Sequence, residues 1–187
     1  NKIGDEAAQV FFEALRGTKI ETLVISEIEV GPAGLTSFAT VISDMTALTD
    51  ITLDGQPITG SKYRTRDGWG HYTGPRKDNG VEEYDCDPSG FVALLEAMKS
   101  SAVTKLSISD CDIGPKGLMT SAPLISVIVA LNEITLDSTG DVKNSKKYTI
   151  SGLQGGAEPS LDLSSLNMGP ADVSLLATLF TSFKLFS

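Results

Sequence analysis

The line LVISEIEVGPAGL at 23–35 returns 83 residues later as LSISDCDIGPKGL at 106–118. Each runs from an apolar residue, through a gap, to Ile, then two or three polar residues, Val or Ile, and Gly-Pro-x-Gly-Leu. Looser copies lie elsewhere: Ile51 and Leu53 with Gln56 and Ile58, Ile134 and Leu136 with Thr139, and Leu161 and Leu163 with Leu166, Met168, Gly169 and Pro170. The first residues of these stretches are 28 (23 to 51), 55 (51 to 106), 28 (106 to 134) and 27 (134 to 161) apart. The 55 is two periods, so the 83 is three. A fixed period near 28 marks a chain of stacked units, each burying an apolar face against its neighbours.

Within a unit the pattern changes period. Leu23/Ile25, Ile51/Leu53, Leu106/Ile108, Ile134/Leu136 and Leu161/Leu163 are apolar at a spacing of two with polar residues between, which predicts strands with one buried face. Helical spacing follows in Phe91, Leu94, Leu95 and Met98, from about Pro88 to Lys99, and in Val173, Leu176 and Leu179. Pro32, Pro115 and Pro170 each follow a Gly and suit a first helical turn, where the missing N–H is no loss. NKIGDEAAQVFFEAL at the start reads as the helical half of an earlier unit. The apolar run LMTSAPLISVIVAL (118–131) is too short to span a bilayer and reads as a buried helix. Strand, turn and helix at a fixed period predict the α/β class, with parallel strands in one sheet.

These features resemble the leucine-rich repeat family, in its ribonuclease-inhibitor-like type with repeats near 28 residues. LSISDCDIGPKGL matches best, and only Asn1 and Cys111 put the expected residue at the Asn/Cys position. The resemblance touches most of the chain. It implies a solenoid with a parallel concave β-sheet, helices on the convex side, and binding rather than catalysis. The family includes nuclease inhibitors and GTPase activators, but the resemblance does not reach the residues of either function.

Two segments break the period and are expected to be insertions, at about 59–87 and 138–160. The first is rich in Gly, charge and aromatics and holds Asn79-Gly80, a hairpin-turn signal. Its length, near one period, also admits a degenerate repeat. The second replaces the expected helix with Gly-rich polar chain, in which KKYTISGL reads as a short extra strand. The whole, 1–187, reads as one domain cut from a longer array. It begins mid-repeat and ends on FTSFKLFS, whose Phe183, Leu185 and Phe186 want covering by more chain or by a partner.

A formal charge of −9 disfavours nucleic acid and anionic membranes as partners and fits a basic protein partner. Two cysteines, Cys86 and Cys111, make neither a disulfide framework nor a zinc site. With no basic, apolar leader, this favours an intracellular, cytoplasmic place. No cofactor motif is present. His71 is the only histidine and lies in GWGHYTG with no nucleophile elbow in the chain, so no catalytic residue is assigned. Asp50, Asp54 and Asp137 lack the spacing of a calcium loop, and no metal site is assigned.

Two surfaces remain as candidates for partner binding. If the apolar pairs point inward, the alternating residues form an acidic, hydroxyl-rich strip: Asp50, Thr52, Asp54, Lys105, Ser107, Glu133, Thr135, Asp137 and Asp162, with five carboxylates facing one lysine. The first insertion interleaves Tyr63, Trp69, His71 and Tyr72 with Arg64, Arg66, Arg76 and Lys77, side chains that commonly anchor interfaces. The expected function is therefore a non-catalytic protein–protein interaction module or scaffold. The alternatives are a structural subunit of a large assembly, or an enzyme regulator.

Overall fold

The computed structural model describes residues 3–63, 81–141, 145–155 and 163–183. Among these, five α-helices and seven strands form: α1 (Gly4–Ala14), β1 (Thr22–Val24), α2 (Pro32–Val41), β2 (Asp50–Thr52), β3 (Lys62–Tyr63), β4 (Val81–Glu83), α3 (Ser89–Met98), β5 (Lys105–Ser107), α4 (Pro115–Ile125), β6 (Glu133–Asp137), β7 (Lys147–Ser151) and α5 (Pro170–Phe183). A five-stranded sheet runs β1-β2-β5-β6-β7, and β3 pairs with β4 separately. The sheet is parallel except for β7, which returns antiparallel on β6. The fold is thus mixed α/β, with helices packed in chain order, α1 on α2, α2 on α3, α3 on α4 and α4 on α5. No described helix is long and apolar enough to cross a membrane.

The register follows the sequence period. Leu23, Ile51, Leu106 and Ile134 pair in one line across four strands. They and their partners two residues on, Ile25, Leu53, Ile108 and Leu136, are all buried. The helices close the other side of this core with Phe12, Phe38, Phe91 and Leu118, and the Phe12 and Phe38 rings stack with centroids 4.6 Å apart. Burying each such side chain contributes about 1.5–3 kcal/mol, so the apolar line drives the stacking.

After β1, β2 and β5 the chain turns sharply through the left-handed region, and it does so again at 165–167. Glu27, Gly55, Asp110 and Ser165 occupy one place in the turn, and Glu29, Asp112 and Asn167 a second, all at φ between 47° and 73°. Polar residues, notably Asp and Asn, tolerate this conformation best after Gly.

Gly-Pro-x-Gly has a specific partner. Asp5 on α1 accepts from the N–H groups of Gly31 and Gly34, both at 2.9 Å, and so caps α2. Asp85 does the same for α4, accepting from Gly114 at 2.9 Å and Gly117 at 2.7 Å. These N–H groups have no partner within the helix, and a carboxylate there also meets the positive end of the helix dipole. The glycines leave room for it: a β-carbon at Gly114 would lie 2.5 Å from Asp85 Oδ2, and one at Gly117 would overlap the carboxylate. In α5 the second Gly is replaced by Asp172, which supplies the carboxylate itself. It accepts from Gly169 N at 2.7 Å, from the backbone and hydroxyl of Thr139 at 2.9 and 2.8 Å, and from the Tyr148 hydroxyl at 3.2 Å.

Several expectations need correction. Leu163 is 40% exposed and lies in no strand; Leu161 and Asp162 lie outside the described residues. The sheet position after β6 is filled instead by β7, whose Tyr148 and Ile150 bury their side chains at alternate positions. The helix read through 118–131 stops at Ile125, and Val127 and Val129 are exposed at 49% and 72%. The run is apolar, but Ile128 and Leu131 alone of its tail reach the core.

Candidate interaction surface

Alternation puts one face of every parallel strand into the core and leaves the other outward. The pairing sets the outward residues in rows. One row holds Thr22, Asp50, Lys105, Glu133 and Ser151; the next holds Val24, Thr52, Ser107, Thr135 and Thr149. A third, at the ends of β6 and β7 and just past β2, gathers Asp54, Asp137 and Lys147. A hydroxyl strip therefore lies between two charged ones.

Asp54 is pinned in place. It accepts from the Ser107 hydroxyl at 2.7 Å, from Ser109 N at 3.0 Å and from Lys147 Nζ at 3.2 Å. Partial burial pulls its carboxyl upward, but the bonds from Ser107, Ser109 and Lys147 together hold it below the usual range. Asp137 is pushed the other way: burial raises it, and its bond from Asp110 N only partly offsets that, with the Asp110 carboxylate adding repulsion. Lys105 Nζ lies 3.7 Å from Asp50 Oδ1, and Asp50 also accepts from the Thr49 hydroxyl at 2.6 Å. Glu27, Asp54, Asp110, Asp137 and Lys147 line an open recess of about 520 Å³ at this end of the sheet.

The structure brings together Asp50, Thr52, Asp54, Lys105, Ser107, Glu133, Thr135 and Asp137 on one face, and corrects two details. Thr135 is buried to 8% exposure, its hydroxyl 2.8 Å from that of Thr149, so it is a floor rather than a contact. Lys147 joins the face as a second cation, unforeseen because β7 lay within a segment read as an elaboration off the sheet. Its alternating Tyr148 and Ile150 were the available signal.

For the insertion, Tyr63 falls in β3, while Arg64, Arg66, Trp69, His71, Tyr72, Arg76 and Lys77 lie outside the described residues. Its neck is built into the core. Thr59, Ser61, Val81 and Asp85 are buried. The Ser61 hydroxyl donates to Asp112 O at 2.8 Å and accepts from Asp85 N at 3.1 Å, and Asp87 N donates to Thr59 O at 2.9 Å. Asp85, just after β4, is the same residue that caps α4.

Cys111 is buried, its thiol donating to Leu53 O at 3.2 Å on the preceding turn, and burial pushes its pKa up to about 12. Gln56 bridges the turn before in the same manner, accepting from Val30 N at 2.7 Å and donating to Ile25 O at 2.9 Å. Burial and the Glu83 carboxylate also raise the Cys86 thiol, which donates to Glu83 O. A thiol held protonated is a poor nucleophile. Among the described residues no cluster of three or more His, Cys, Asp or Glu side chains is arranged to hold a metal ion. Compared with models of protein families and with curated proteins, the chain matches none.

Proposed function

We propose that the chain is a non-catalytic protein–protein interaction module, built as a leucine-rich-repeat-like solenoid with the sheet on its concave side. The solenoid reading is supported by the aligned register at one sequence period, the left-handed turns that recur with it, and the side chains of Gln56 and Cys111 that bond back to the preceding turn. The observation that carries the binding role is the polar outward face of β2, β5 and β6. There β2 and β5 bury their central residue alone, and in β6 Thr135 is buried as well.

The insertion is the second contact element in this reading. Its basic and aromatic residues, Arg64, Arg66, Trp69, Tyr72, Arg76 and Lys77, are carried by a neck fixed to the core. Together with the acidic face it offers a partner two surfaces of opposite sign, which favours encounter and orientation.

The test is capture of protein partners by the immobilised chain from extracts of its source cells. One variant has residues 64–80 replaced by Asn-Gly; the other carries Asp50→Asn with Glu133→Gln. Partners retained by the unaltered chain should be lost with one variant or both. Equal recovery by all three would sink the reading.

A further inference from the structure

Resting on the sheet face as the contact surface, we propose that its occupant is an extended polypeptide segment with basic side chains four residues apart, laid along β6. The motif is Arg or Lys, any residue, a small residue, any residue, Arg or Lys.

The charge distribution on the face leads to this. Of its two lysines, Lys105 is drawn to Asp50 at 3.7 Å and Lys147 to Asp54 at 3.2 Å. Lys147 stands opposite Asp137 in the register and attracts it, but among the described residues its ammonium is within ion-pair distance of Asp54 alone. Glu133 and Asp137, at the two ends of β6, have no ion-pair partner among the described residues. The only bond the Asp137 carboxylate receives within the described residues is from the neutral N–H of Asp110.

Geometry then sets the spacing. Glu133 and Asp137 are four residues apart on one strand, about 13 Å at the rise of extended chain. A second extended chain over the face has the same rise, and its residues i, i+2 and i+4 point the same way. Two basic side chains at i and i+4 would therefore meet Glu133 and Asp137. The residue between them passes over Thr135, whose hydroxyl is already committed to Thr149, so a small side chain fits there. At the Asp137 end the recess of about 520 Å³ has four carboxylates, Glu27, Asp54, Asp110 and Asp137, against Lys147, and has room for a guanidinium. On a helix the same i, i+4 pair would be only about 6 Å apart, so this motif matches the face only when extended.

The experiment is fluorescence anisotropy with the full chain and labelled, end-blocked heptapeptides of one composition: two Arg among Ser and Thr, placed four apart or adjacent. The four-apart peptide should bind about tenfold tighter than its isomer at low salt. Glu133→Gln and Asp137→Asn should each remove most of that preference. Glu6→Gln, the same charge change on exposed α1, should leave it intact. Isomers binding within about twofold of each other, or a preference that survives both face variants, would overturn the proposal. If the Asp50/Glu133 variant nevertheless loses its captured protein partner, only the spacing fails and the contact surface stands.

Discussion

Asp85 is 2% exposed, and its two oxygens are taken by the N–H groups of Gly114 and Gly117 at the start of α4. Removing it as Asp85→Ala strips the cap and leaves both N–H groups short of a partner, a loss of about 2–4 kcal/mol. Gly117→Ala should cost about 2 kcal/mol or more alone, because the new methyl overlaps the carboxylate. In the Asp85→Ala background the same change should be close to neutral: both carboxylate contacts are gone, Thr59 Cγ2 at 3.1 Å is the next nearest atom, and Ala favours the helix by about 1 kcal/mol. Urea unfolding of the four proteins measures this coupling; strictly additive effects would show that the glycine is not there for the carboxylate. Gly-Pro-x-Gly was legible as a corner, but the carboxylate it receives was not. Asp5 comes from within a helix and Asp85 from the loop just after β4, at offsets of 26 and 29 residues from their glycines. Only the packed structure puts both carboxylates in the same place.

Strands β1, β2, β5 and β6 were readable because apolar residues two apart have few other uses, whereas β7 shows how context misleads. KKYTISGL was seen as a strand, but its direction and its place beside β6 follow from which edge is free, which no local pattern encodes. Missing that placement hid Lys147, and with it the imbalance on β6. That imbalance makes a pH prediction. The Asp137 carboxyl is raised in the folded chain, so its protonated form is favoured there; the stability this gives is fully present below the unfolded pKa, about 3.9, and is lost as pH rises through the folded value. Asp54 is lowered, so its contribution is present above about 3.9 and is lost as pH falls through its folded value. Asp137→Asn should therefore be at least as stable as the parent at pH 7, with the difference vanishing below about pH 4. Chemical denaturation across that range checks it, and a variant less stable at pH 7 would give Asp137 a structural role. More stability with less peptide binding would mark a carboxylate kept for a partner.

At the scale of the whole chain, the period of 28 foretold the parallel order and the buried line. The last unit escaped it, because 161–163 has the strand's apolar pair while β7 already occupies the edge of β6. The sequence also left open whether 59–87 is an insertion or a degenerate repeat. The neck bears on that choice: β2 and β5 pair directly, with no strand from 59–87 between them in the sheet. Since Tyr63 pairs with Val81, two residues suffice to join them, and Asn-Gly suits the type I′ turn of such a hairpin. Replacing 64–80 by Asn-Gly should leave the unfolding free energy within about 1 kcal/mol of the parent, because the closing loop is shorter and the core side chains are kept. Ser61→Ala, a far smaller change, should cost about 1–3 kcal/mol, since it removes the acceptor of Asp85 N and the donor to Asp112 O inside the neck. Urea denaturation followed by circular dichroism compares the two. Should the seventeen-residue replacement unfold the chain while Ser61→Ala does not, the segment belongs to the core and the degenerate-repeat reading takes its place.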